Sequence, residues 1–148
     1  MSTILATVFL LAVGLAPPCT AQSPDAAAIV DRYLTLERAR QAPGATTADI
    51  DRLLALMTDS VVYEHPRAAA RRQGKAVMRE GMSHYLGTVR NGRDSVEQRT
   101  VAPGVVVLVT RSISEMLIDD KWQTVNRRAI RVFEFDGALI CRIIEYGW

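Results

Sequence analysis

Past its first two dozen residues the chain falls into a part patterned every three to four positions and a part patterned every two. After Ser23-Pro24-Asp25, apolar side chains recur at Ile29, Val30, Tyr33, Leu34 and Leu36. That is near the 3.6-residue period of a helix, capped by Asp25 and ended by Pro43-Gly44. Ile50, Leu53, Leu54 and Met57 repeat at i, i+3, i+4 and i+7, which predicts a second, shorter helix with Thr47 as its cap. Val61 to Pro66 reads as a short strand closed by proline, whose missing N–H suits a strand end. The polar, Ala- and Arg-rich run 68–73 reads as a loop. Gly74 then precedes a third helix with Val77, Met78, Met82, Tyr85 and Leu86 on one side. Gly81 inside that helix costs up to about 1 kcal/mol against alanine, which points to a close approach there. Asn91-Gly92 breaks the chain again.

From Ser95 onward the pattern is that of strands, over 95–102, 105–117, 121–135 and 138–148, with turns at Pro103-Gly104, Asp119-Asp120 and Asp136-Gly137. Helices first and an antiparallel meander afterwards predict an α+β domain, with helices packed on one face of a curved sheet.

Asp136-Gly137 tolerates the positive φ of a tight hairpin turn, so pairing across the last two strands follows by counting. A two-residue loop sets Phe135 opposite Ala138, Val132 opposite Cys141, Ile130 opposite Ile143 and Arg128 opposite Glu145. The other face sets Arg131 against Arg142, and like charges directly opposite are unfavourable. The first face is therefore the expected lining of an enclosed site. The turn at Asp119-Asp120 adds Arg111 and Asn126 to that face, beside Val107, Val109 and Glu115. A longer loop with a bulge would shift this register and undo the assignment. Val125, Ala129, Phe133, Ile140, Ile144, Tyr146 and Trp148 fall on the opposite face, a candidate self-association surface.

The amino-terminal run from Ile4 to Ala16 is uninterruptedly apolar and is followed by Pro17-Pro18 and Cys19-Thr20-Ala21. It is short for a membrane span and reads as a secretory signal over residues 1–21, leaving one domain over 22–148 in a secreted or periplasmic protein. Cleavage there leaves Cys141 alone, read as a small packed apolar residue with no disulfide available. No stable membrane span is expected after cleavage. The net charge of +2 is small, and the arginines are dispersed rather than striped with aromatics, which argues against nucleic acid as a partner. Two histidines and scattered carboxylates do not make a metal-ligand set, and no phosphate-binding glycine loop or G-x-S-x-G motif occurs. No cofactor is expected.

The order and spacing of several short motifs resemble the NTF2-like superfamily, and within it the SnoaL-like domain proteins. These motifs are Met57-Thr58-Asp59-Ser60-Val61-Val62-Tyr63-Glu64-His65-Pro66, Gly74-Lys75-Ala76-Val77-Met78-Arg79-Glu80-Gly81 and Phe135-Asp136-Gly137-Ala138-Leu139-Ile140, with Glu145-Tyr146 at the end. The resemblance implies three N-terminal helices over a curved antiparallel sheet, a conical pocket between them, and often a homodimer formed through the sheet. The superfamily includes isomerases, epoxide hydrolases, polyketide cyclases and non-catalytic binding domains, so the fold by itself does not choose among activities. Many members carry an Asp just after the Tyr of the last strand; here Gly147-Trp148 follows Tyr146.

Three functional expectations follow. The first is a pocket for a small, mostly apolar molecule, with Arg128, Arg111, Asn126, Ile130 and Ile143 as substrate-binding residues. The second is acid–base catalysis by His65, Tyr63 and Glu145, with an arginine steadying an oxyanion. The third is a non-catalytic, dimeric interaction domain.

Overall fold

The computed structural model describes residues 26–147; the signal-type segment and Trp148 lie outside the described residues. Three helices, α1 (Ala26–Gln41), α2 (Thr47–Leu54) and α3 (Lys75–Ser83), accompany six strands. The strands are β1 (Met57–His65), β2 (Ala70–Gln73), β3 (Val89–Ala102), β4 (Val105–Ile118), β5 (Lys121–Asp136) and β6 (Leu139–Gly147). They form one sheet in the order β2-β1-β6-β5-β4-β3. Among the described residues, only the β1–β6 pairing is parallel. The helices cover one face of this curved sheet, as an α+β cone requires. That face is the inner face below.

Local chemistry sets the boundaries. Thr46, one residue before the expected cap, begins α2: the Asp49 carboxylate accepts its backbone N–H at 2.8 Å. The run expected as a loop is β2, because its backbone pairs antiparallel with β1 from Val62–Gln73 to His65–Ala70. Asn91-Gly92 lies inside β3 rather than before it. Asn91 adopts φ +53° and the pairing with β4 shifts there, so the turn signal marks an irregularity, not a break. Gly81 meets the expected close approach. A Cβ there would lie 1.7 Å from Arg72 Nη1, so the guanidinium crosses the helix directly over the glycine.

The core lies between the helices and the inner face. Val30 and Tyr33 of α1, Ile50 and Leu53 of α2, and Met78 of α3 pack on Val106, Leu108, Phe133 and Ile143. Tyr33 meets Phe133 edge-on, with ring centroids 5.1 Å apart. Burying each such side chain contributes about 1.5–3 kcal/mol, which explains why the helices sit here.

The two long hairpins behave differently. β4 and β5 pair without interruption from Val105–Glu134 to Ile118–Lys121. Asp119 and Asp120 form the turn, both at positive φ (+48° and +59°) as a type I′ turn needs. In the β5–β6 hairpin, Asp136 pairs with Leu139, so the loop is Gly137-Ala138, one residue later than expected. Only Gly137 of the two takes positive φ (+58°). A bulge at Cys141 then inserts an extra residue between the Phe135–Ile140 and Glu134–Arg142 pairs. The displaced turn alone would have preserved the faces; the bulge exchanges them. Cys141 is disulfide-linked in the uncleaved chain, whereas the expectation of a lone cysteine concerns the chain after removal of residues 1–21.

Candidate functional site

Beyond the bulge, Glu145 stands opposite Arg131, not Arg128. Arg131 shares the inner face with Phe133, and so does Glu145. The Arg131 Nε–H donates to Glu145 Oε2 at 2.9 Å, and both side chains retain 22% exposure. Burial opposes the Arg131 charge. Glu145, and after it Tyr33, Glu37 and Tyr63, outweigh that penalty, so its pKa lies above the ordinary guanidinium value.

Four of the expected binding residues are therefore corrected in placement. Arg128, Arg111, Asn126 and Ile130 lie on the outer face, away from the helices, because the bulge leaves their parity opposite to that of Glu145. Arg111 and Arg128 are directly paired across β4 and β5, an arrangement that needs an anion between them. Glu97 supplies it. Set in a bulge of β3, it accepts Arg111 Nε at 3.0 Å and Arg128 Nε at 2.7 Å. Those two hydrogen bonds hold its carboxyl below the usual range.

The other expected residues remain inside. Ile143 is fully buried in the core. Tyr63 pairs with Ile143 across β1 and β6, and one step further the same register sets His65 beside Glu145. Burial, followed by the Glu145 charge, pushes the Tyr63 phenol well above its usual value, so it stays a hydrogen-bond donor at neutral pH. A Cβ at Gly147 would stand 3.6 Å from His65 Nε2, while His65 Nδ1 is buried without a hydrogen-bond partner among the described residues. Inner-face placement is what these residues have in common; it assigns them no chemistry.

Helix α1 adds two residues that the sequence reading passed over. Glu37 and Arg40 follow Tyr33 at i+4 and i+7, extending the apolar stripe with charge. Glu37 accepts Arg40 Nε at 2.8 Å, Arg40 Nη2 at 2.5 Å and Gln41 Nε2 at 3.0 Å. Arg40 is only 6% exposed, and its Nη1 has no hydrogen-bond partner among the described residues. Charged residues on the stripe of an otherwise apolar helix face were the available signal. Arg131 was legible too, but the face that carried it had been set aside because of its supposed clash with Arg142. In the structure Arg142 is on the outer face with Glu64, at 2.8 Å.

Between α1 and strands β3–β5 lies a cavity of about 120 Å³. Leu34, Glu37, Arg38 and Gln41 line it from α1, Asp94 and Val96 from β3, Thr110 and Ser112 from β4, and Arg131 from β5. Arg38 closes one side by donating Nε and Nη2 to Asp94 Oδ2 at 3.0 and 2.9 Å. The space is well below the roughly 300–1,000 Å³ of drug-sized pockets, and its lining is more polar than the expected apolar cone. Among the described residues, no group of three His, Cys, Asp or Glu is arranged to hold a metal ion. No helix among them is long and apolar enough to cross a membrane.

A six-stranded curved sheet capped on one face by three helices, with an enclosed polar cluster between, defines an NTF2-like domain. The chain belongs to the SnoaL-like domain family, whose profile matches residues 37–143. Solved structures share the fold at low identity. A candidate SnoaL-like polyketide cyclase from Shewanella putrefaciens superposes with a TM-score of 0.68 at 11% identity, covering 85% of this chain and 91% of that one. A candidate isomerase from Rhodopseudomonas palustris gives 0.65 at 15% identity, over 80% and 88%. An epoxide hydrolase from M. tuberculosis, described as LEH-like, gives 0.58 at 17% identity, over 82% and 84%. No protein of curated function matches the sequence.

Proposed function

We propose that this is an exported SnoaL-like domain that binds a small molecule in the α1-side cavity, with Arg131 as the anchoring group. The carrying observation is the division of labour on its guanidinium. Glu145 engages only Nε. Among the described residues no protein hydrogen bond reaches Nη1 or Nη2, and Arg131 lines the cavity. A planar cation held at one edge is a pre-oriented donor for an oxygen of a guest. Export rests on the signal-type amino terminus. A homodimer through the outer sheet face completes the reading. The expected self-association face is corrected, because Ala129, Phe133 and Ile140 are buried beneath the helices, and Ile113 and Tyr146, 44% and 39% exposed, support the outer face instead.

A fragment screen by thermal shift, followed by NMR mapping of the hits, tests the binding reading. Saturable ligands whose perturbations converge on Arg131 and Glu37 support it. A well-folded protein whose hits all map to the outer face contradicts it.

One observation favours a second reading, acid–base catalysis. His65, Glu145 and Tyr63 share the inner face, with a buried, unpartnered nitrogen on the histidine. Glu145 would take a proton, His65 would return it, and Tyr63 would donate a hydrogen bond to the developing oxyanion. The Glu145 carboxylate is already engaged by Arg131 Nε, which ranks this reading second. Turnover of an enolisable carbonyl or epoxide library that is lost in Glu145→Gln would promote it.

A further inference from the structure

The charges around the cavity select among the molecules it could hold, on the reading that Arg131 anchors a guest. Its charged lining consists of two acids, Glu37 and Asp94, and two bases, Arg38 and Arg131. The groups directly behind repeat the balance, with Arg40 on Glu37 and Glu145 on Arg131. No net charge is left for an ionic guest to neutralise. An anion on Arg131 would lie near two carboxylates, with both lining arginines already paired, Arg131 to Glu145 and Arg38 to Asp94.

The hydrogen-bonding positions, in contrast, are unfilled on both sides. Arg131 offers Nη1 and Nη2. Glu37 Oε1 already accepts from Arg40 and Gln41, whereas Oε2 accepts only Arg40 Nε, which leaves it a lone pair. Thr110 and Ser112 add hydroxyls able to donate or accept.

We infer that the guest is a small neutral molecule combining a carbonyl-type oxygen, received by Arg131, with an N–H or O–H group given to Glu37. Primary amides and hydroxy-ketones of a few carbons have this chemistry and suit about 120 Å³. Net neutrality sets the preference, and a donor–acceptor pair sets the orientation.

Three probes of equal heavy-atom count decide it: propionamide, propionate and butanone, titrated against the folded protein while the Arg131 Nε–H resonance is followed by NMR. Propionamide is expected to bind most tightly. Propionate should be weaker by roughly tenfold, the scale of one uncompensated buried polar group. Butanone should also be weaker, lacking the donor for Glu37. Asp94→Asn, an exposed change that leaves the core alone, removes one acid from the lining and should shift the preference towards propionate. Glu37→Gln should shift it the same way.

Propionate binding as tightly as propionamide in the unaltered protein, or a preference unmoved by Asp94→Asn, overturns the neutral-guest inference and leaves Arg131 as anchor. Absence of a saturable shift at Arg131 with all three probes overturns the anchoring reading as well.

Discussion

Arg131 and Glu145 face each other across β5 and β6 and are joined by a 2.9 Å hydrogen bond from Nε. Their partial burial makes the pair costly to break from one side. Removal of one partner of a fully buried pair costs about 3–5 kcal/mol; with 22% exposure remaining on each, about 2–3 kcal/mol is expected for Glu145→Ala. The double change Arg131→Met with Glu145→Leu should recover most of that loss, since it leaves no stranded charge. Urea unfolding of the two single variants and the double variant measures both.

Alkaline stability should track the buried phenols. Burial and nearby Glu37 hold Tyr33 well above the ordinary tyrosine pKa, and burial with Glu145 does the same for Tyr63. Both groups have raised folded-state values, so their contribution is complete below the unfolded pKa of about 10 and is lost as pH rises beyond it. Each phenol contributes a slope of about 1.4 kcal/mol per pH unit in that window. Tyr63→Phe should flatten the decline between pH 10 and 12; an unchanged slope would contradict the assignment.

On the acid side the sign reverses. Glu97 and Glu64 are held low by hydrogen bonds from Arg111 and Arg128, and from Arg142. Depressed folded-state values give stability that is present above the unfolded pKa of about 4.3 and disappears as pH falls through the folded one. Glu97→Gln should leave Arg111 opposed to Arg128, lower stability at neutral pH, and reduce the acid-side slope. Added salt should lessen the difference, because the cluster is solvent-exposed.

Gly81 tests the Arg72 crossing. Alanine gains up to about 1 kcal/mol in helix propensity, but its Cβ must displace the guanidinium. Gly81→Ala alone should therefore change little. In an Arg72→Ala background the same substitution should stabilise the fold, by up to about 1 kcal/mol in chemical denaturation.

Self-association through the outer face predicts a concentration-dependent sedimentation coefficient. Ile113→Lys should abolish it without lowering the melting temperature, because Ile113 is 44% exposed in the single chain. A species that stays monomeric at high concentration opposes the dimer.

Much of the fold was legible because local and long-range signals agreed. The Asp119-Asp120 turn and the alternation on either side gave the correct β4–β5 register, and the helical stripes named much of the core, although Val77 and Tyr85 of the third stripe stay exposed. The inner and outer faces of β5 and β6 were not legible together. A one-residue bulge at Cys141 leaves almost no mark in composition, yet it decides which arginine meets Glu145. The apparent Arg131–Arg142 conflict was a product of the unbulged register. The real like-charge contact, Arg111 with Arg128, was tolerable because Glu97, from a third strand, bridges it. Counting along one hairpin could not reveal a partner from β3.

The most direct measurement compares ligand binding by Arg131→Met and Arg128→Met. The two arginines are three residues apart on one strand and differ in the face they occupy. Binding that weakens by about tenfold or more in Arg131→Met, and is unchanged in Arg128→Met, is the predicted result. The reverse ordering, in a protein that remains folded, would place the functional surface on the outside of the sheet and contradict the account.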